Sequence, residues 1–181
     1  YSIASRDLFT GINLTIHDKK LAVCGANGTG KTSLLQIMMG VIEPSSGRVT
    51  RGKRCIGYIS QGATNWMLED SLLQYLSFHS SSSSPEDLAE LMLTHKFPLA
   101  LAARPLKSLS PGERLRAALI CLFQQNAVVQ LLVLDEPTYS LDLLGQAALK
   151  NILRAWQGAI VIASHDGEFL EEIGVEVYMQ M

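Results

Sequence analysis

The sequence predicts an α/β fold with a mostly parallel central sheet. Short apolar runs alternate with longer helical stretches, and these runs end in glycine or in acids. At 181 residues, 48% hydrophobic and 18% charged, the chain has material for one packed domain and too little for two sizeable ones. Net charge is −2, so no global basic field draws the chain to nucleic acid or anionic lipid. Three scattered cysteines, Cys24, Cys55 and Cys121, argue against a disulfide framework and for a reducing cytoplasm, and all three read as core or strand residues.

Residues 21–24 (Leu-Ala-Val-Cys) form an apolar run ending at a glycine, which reads as a buried strand. Residues 32–39 read as a helix closed by Gly40 at its C-cap. Pro44 and Gly47 mark a turn, Val49 is expected to begin a strand, and residues 56–59 another. Residues 71–78 read as a helix capped by Asp70. Residues 80–84, five serines, read as a surface loop. Ser84-Pro85-Glu86-Asp87 has the cap, first-turn proline and acid of a helix start, and Pro98 and Pro105 bracket irregular structure.

Residues 110–125 predict a long helix with Leu115, Ala118, Leu119 and Leu122 on one face. Residues 131–134 predict a strand, 141–156 a helix, 159–163 a strand, 167–173 a short helix and 175–178 a last strand. The longest uncharged run, 117–134, is broken by Gln124, Gln125, Asn126 and Gln130, so it reads as helix, turn and strand, with no direct membrane insertion. The start, Tyr1-Ser2-Ile3-Ala4-Ser5, lacks the basic region of a secretory signal, and the missing initiating Met reads as a fragment or trimmed chain.

Gly25, Ala26, Asn27, Gly28, Thr29, Gly30, Lys31 and Thr32 match G-x-x-x-x-G-K-[ST] between a strand and a helix, with Ser33 following. The glycines let the backbone curl its N–H groups toward phosphate oxygens, and the next helix adds a partial positive charge. Lys31 is expected to reach the β- and γ-phosphates, and Thr32 to bind Mg²⁺. This identifies a nucleoside triphosphate site but not the machine that uses it. The strand at 131–134 delivers Asp135, expected to hold Mg²⁺, and Glu136, expected to polarise an attacking water.

Leu109-Ser110-Pro111-Gly112-Glu113 lies before that acidic strand, on the helix leading into it. Taken alone the pentad reads as an ordinary capping box, Ser110 with Glu113; it is also a helix N-terminus that could meet an anion. Gln61 follows the 56–59 strand, where its amide could touch both Mg²⁺ and the water. His165 follows the 159–163 strand near a γ-phosphate. His17, His79 and His95 read as surface residues.

The ordered set of phosphate loop, Gln61, Leu109–Glu113, Asp135-Glu136, Leu141-Asp142 and His165 resembles the ATP-binding cassette (ABC) ATPases over essentially the whole chain. The resemblance implies a P-loop NTPase fold of ABC type over residues 1–181, with a helical signature subdomain at about 65–125. It implies ATP and Mg²⁺ as cofactors, and a second cassette, in the same chain or as a dimer, packed head to tail. Ser110 and Gly112 then meet a nucleotide held by the partner, Asp142 lies at the interface, and Tyr1 is the candidate for the aromatic that stacks on adenine, with Ile3 the alternative occupant of that place. Catalysis falls to Glu136, His165 and Gln61.

Within the family the chain looks most like one cassette of a two-cassette ABC-F protein, cytoplasmic and contacting the ribosome or rRNA through parts outside it. Ser164-His165-Asp166-Gly167-Glu168-Phe169-Leu170 is similar to that group's S-H-D-R-E-F-L, the signature ends in Glu113 and is followed by Arg114, and only 30 residues separate Lys31 from Gln61. The chain departs from the pattern at Pro111, Tyr139 and Ser140. The alternative is the nucleotide-binding subunit of a membrane transporter.

Overall fold

A computed structural model describes residues 2–3, 6–17, 19–52, 55–80, 84–124, 129–139 and 141–181. Strands β1 (Ser2–Ile3) and β2 (Arg6–Asp7) form a small antiparallel pair. Strands β3 (Lys20–Cys24), β4 (Cys55–Ile59), β5 (Val129–Asp135), β6 (Ala159–Ala163) and β7 (Val177–Gln180) form one sheet in the order β4-β5-β6-β3-β7. Every pairing in it is parallel. Parallel neighbours need crossovers, and helices supply them. Helix α1 (Lys31–Met39) follows β3, α6 (Leu143–Ala155) follows β5, and α7 (Gly167–Glu172) follows β6. Four helices lie between β4 and β5: α2 (Leu72–His79), α3 (Pro85–Thr94), α4 (Leu99–Ala102) and α5 (Pro111–Gln124).

Strand alternation divides the core in two. Leu21, Val23, Val133, Val161 and Ala163 share one cluster with Leu34 and Leu35 of α1. Ala22, Leu132, Leu134, Ile160 and Ile162 share the other with α2, α5, α6 and α7. Because the sheet is covered on both faces, its strands read as continuous apolar runs in the sequence.

The pairing register sets the level of the strand ends. Val23 and Asp135 both pair with Ala163, and Ile59 pairs with Leu134. Four C-terminal strand ends therefore reach one edge of the sheet at the same height, where ligands bind in open α/β sheets.

Several local readings are corrected. Residues 48–52 form no strand, so Val49 starts none; the nearest strand is β4. The cap of α2 is Ser71 rather than Asp70, because its hydroxyl accepts from Gln74 N while the Gln74 side chain accepts from Ser71 N. Helix α6 starts two residues later than expected, with Asp142 capping Gly145 N at 2.7 Å. The last strand runs Val177–Gln180. In α5 the expected face is buried, but so are Ala117, Ile120 and Cys121, because the helix is held between the sheet, α2 and a 3-10 segment at Gln61–Trp66. Burial pushes the Cys121 thiol far up; Cys24 and Cys55 lie on strands. His17 and His79 are exposed as expected; His95 is half-buried, and burial, then Arg116, lowers its pKa. The middle of the serine run and the end of the predicted 110–125 helix lie outside the described residues.

Gly57 lies where β4 runs under α5. A Cβ built there meets Leu122 Cδ1 and Val129 Cγ1 at 3.0 Å each. Gly57→Ala should therefore overpack this joint and cost about 1–3 kcal/mol in chemical denaturation; an unchanged midpoint would refute the close approach.

Candidate functional site

The strand edge opens into a cavity of about 510 Å³. Asn27, Gly28, Gly30, Lys31, Thr32, Ser33, Gln61, Asp135 and Glu136 line it, together with Leu8. Gly25, Ala26 and Thr29 belong to the same loop but do not line it. The loop turns because Gly28 and Gly30 adopt φ of 83° and 102°. Thr29 Oγ1 donates to Ala26 O at 3.0 Å and braces the turn.

Helix α1 begins differently from the five helices that carry a side-chain cap. Its N-cap, Gly30, makes no side-chain hydrogen bond to the first turn. Helices α2, α3, α5, α6 and α7 are capped by Ser71, Ser84, Ser110, Asp142 and Asp166. The first N–H groups of α1 are thus left facing the cavity without a side-chain acceptor, and the helix dipole adds positive potential there.

Lys31 is 6% exposed, and its Nζ donates to Gly25 O at 2.7 Å and Ala26 O at 3.3 Å. The same Nζ lies 3.0 Å from Glu136 Oε1. That contact is an ion pair without hydrogen-bond alignment, so Oε1 is held by charge rather than by a directed bond. His165 Nδ1 lies 2.9 Å from Glu136 Oε2. Glu136 sits at the strand end with φ of 44°, unusual for a residue with a Cβ, and its N–H donates to Ala163 O at 2.9 Å.

Thr32 Oγ1 donates to Asp135 Oδ2 at 2.7 Å across 103 residues of sequence. A hydroxyl and a carboxylate thus touch on one wall, with the Gln61 amide on the same cavity. These are hard oxygen donors, the set that suits Mg²⁺. Burial raises the Asp135 pKa; the Thr32 hydrogen bond opposes this, Glu136 adds to it, and Lys31 opposes it.

Ser110 and Gly112 are not part of this cavity. Ser110 N and Oγ both donate to Glu113 Oε2, at 2.8 and 2.7 Å, and Glu113 N donates back to Ser110 Oγ at 3.3 Å. Those bonds hold the Glu113 carboxyl below its usual range. Asp142 is exposed and caps α6. Tyr1 and Ser140 lie outside the described residues. The site roles of two residues escaped sequence reasoning. Leu8 gives the cavity an apolar wall, and no motif marks it. Arg114 is buried and binds main-chain carbonyls 51 and 52 residues away, which no local pattern signals.

Comparison with known proteins gives consistent results. The family described as ABC transporter matches residues 9–139. The ATP-binding protein Uup of Haemophilus influenzae is 32% identical over 185 residues, covering 99% of this chain and 28% of that protein. The ribosome protection protein VmlR of Bacillus subtilis is 34% identical over 173 residues, covering 94% of this chain and 31% of that protein. The chain therefore spans under a third of either relative's length. Among solved structures, a dimeric post-hydrolysis ATP-binding cassette bound to ADP and Pi aligns with a TM-score of 0.78 and 18% identity, over 100% of this chain and 90% of that one. At that identity the likeness speaks for the fold.

Asp135→Asn should raise the melting temperature at neutral pH in magnesium-free buffer. A carboxyl whose pKa is raised on folding favours the folded state when protonated, and that advantage is lost as pH rises through the folded value. The gain from Asn should shrink as pH falls below the ordinary aspartate range, about 3.9. A variant that melts lower than wild type at neutral pH would contradict the desolvation argument.

Proposed function

The chain belongs to the ABC transporter family, and on that premise we propose that it is a cassette that binds and hydrolyses Mg-ATP as half of a head-to-tail pair, in a ribosome-associated factor of the ABC-F kind. The observation that carries the ATPase reading is the contact between Thr32 and Asp135 at 2.7 Å, beside Lys31 and Glu136 joined at 3.0 Å. Phosphate-binding, cation-binding and water-activating groups thereby share one cavity wall.

The uncapped N–H groups of α1 and the glycine loop hold the phosphate chain. Lys31 exchanges the Gly25 and Ala26 carbonyls for phosphate oxygens, which carry more charge. That exchange draws the ammonium from Glu136 and leaves its carboxylate to orient or deprotonate a water. His165 keeps Glu136 aimed through the 2.9 Å contact. Thr32, Asp135 and Gln61 would hold Mg²⁺, which supplies charge neutralisation at the phosphates. Ser110 and Gly112, outside their own cavity, serve a nucleotide in a partner cassette, and the partner's equivalents serve this one. The dimeric relative with ADP and Pi supports that pairing.

The ribosomal part of the reading is supported by the likeness to VmlR, a ribosome protection protein, and by the S-H-D-x-E-F-L run at 164–170. No helix among the described residues is long and apolar enough to cross a membrane, which is compatible with cytoplasmic work. The output of such a cycle is conformational: the pair closes on ATP and reopens after hydrolysis.

Glu136→Gln should retain ATP binding and lower turnover by roughly 10²–10⁴; near-normal turnover would remove Glu136 from catalysis. Lys31→Ala should abolish measurable nucleotide binding in calorimetry, and unchanged affinity would count against the loop. The Glu136→Gln protein, loaded with ATP, should co-sediment with ribosomes. Recovery with a membrane permease instead would favour the transporter-subunit reading.

A further inference from the structure

We infer that Arg114 is a positioning residue that mechanically joins Gln61 to Ser110, an assignment that rests on the ATPase reading above. Arg114 lies in the first turn of α5 and is 6% exposed. Its guanidinium is divided among three main-chain carbonyls. Nε donates to Ala63 O at 3.0 Å, Nη2 to Gly62 O at 2.8 Å and Nη1 to Leu109 O at 2.9 Å. Gly62 and Ala63 immediately follow Gln61, and Leu109 immediately precedes Ser110. One planar cation therefore spans the two segments that, in the proposed mechanism, act on two different nucleotides.

The segment after Gln61 needs such a partner. Gly62 and Ala63 are consecutive left-handed residues, with φ of 63° and 51°, inside a kinked 3-10 stretch. For Ala63 that conformation is disfavoured and persists only where its surroundings impose it. Asn65 fixes the base of the stretch to the end of β4: its Oδ1 accepts from Ser60 N at 2.9 Å and its Nδ2 donates to Tyr58 O at 2.8 Å. Farther along, Leu106 N donates to Asp70 O and Lys107 N to Leu68 O, each at 3.0 Å. Segments 61–71 and 105–114 are thus tied at both ends, with Gln61 exposed at the apex and lining the cavity. A shift of the α5 N-terminus is passed through Arg114 to the backbone that carries the Gln61 amide. Lysine cannot substitute here, because a compact ammonium cannot present three donors in one plane to three separated carbonyls.

The test is a double-mutant cycle in the full chain, with Arg114→Lys, Gln61→Ala and the pair, each checked for ATP affinity by calorimetry and for ATP turnover. Arg114→Lys should keep nucleotide affinity within about 2-fold while lowering kcat about 10-fold or more, a split that follows from misplacing a group needed for the chemical step. In the Gln61→Ala background the same change should lower kcat less than about 2-fold further, because both variants remove one function. Hydrogen exchange of the 58–66 peptide should also quicken in Arg114→Lys. Equal fold-losses in both backgrounds, a loss of melting temperature with kcat intact, or unchanged exchange at 58–66 would each overturn the assignment. A wild-type protein without ATP turnover even when paired with a second cassette would overturn the ATPase reading itself and the assignment with it; active wild type with multiplicative losses would overturn the assignment alone.

Discussion

The buried ammonium of Lys31 is the constraint around which the strand edge is arranged. An isolated charge at 6% exposure is costly unless the protein supplies counter-groups. Two come from its own loop, as the carbonyls of Gly25 and Ala26, and the third is the Glu136 carboxylate from the end of another strand. Glu136 can reach because β5 and β3 both flank β6 in parallel register, so their ends stand at one height. Its left-handed backbone, anchored on Ala163 O, turns the carboxylate inward. A charge at the start of α1 thereby depends on the sheet order, the register and a strained residue just past the end of β5.

The helix termini show the same division between structure and function. Five helices close their N-termini with serine or aspartate side chains, which satisfies donors that would otherwise need water. Helix α1, like the single-turn α4, omits that closure, and its first residues line the cavity. Ser110 caps α5 together with Glu113, yet Ser110 stays exposed and Gly112 half-buried, so the same motif stabilises its own helix and remains within reach of another molecule.

What was legible in the sequence follows from how local each constraint is. Phosphate loop, acidic strand end and capping box are each written within eight residues, because backbone curl, strand period and helix start are local requirements. The sheet was legible as buried apolar runs, although the order of its strands was not. Val49 misled because one β-branched residue after a turn carries no partner information. Asp70 misled because two acceptable caps stand side by side, and only Ser71 has Gln74 three residues on. The all-round burial of α5 was hidden because a single-face pattern does not report what lies on the opposite side. Arg114 was hidden for the same reason: it looks like a solvated helix arginine until a segment 51 residues away is folded over it.

The place of β3 in the sheet bears on how the chain is made. Both of its neighbours, β6 and β7, come from residues 159–180, although β3 itself ends at Cys24. During synthesis the Leu21-Ala22-Val23 strand and the loop behind it wait, unpaired on both edges, until almost all of these 181 residues have left the ribosome. Such long-range parallel pairing is slow to form and exposes an apolar edge while it waits. The glycine-rich loop, which precedes those partners by more than 120 residues, is therefore among the last parts of this fold to acquire its final shape.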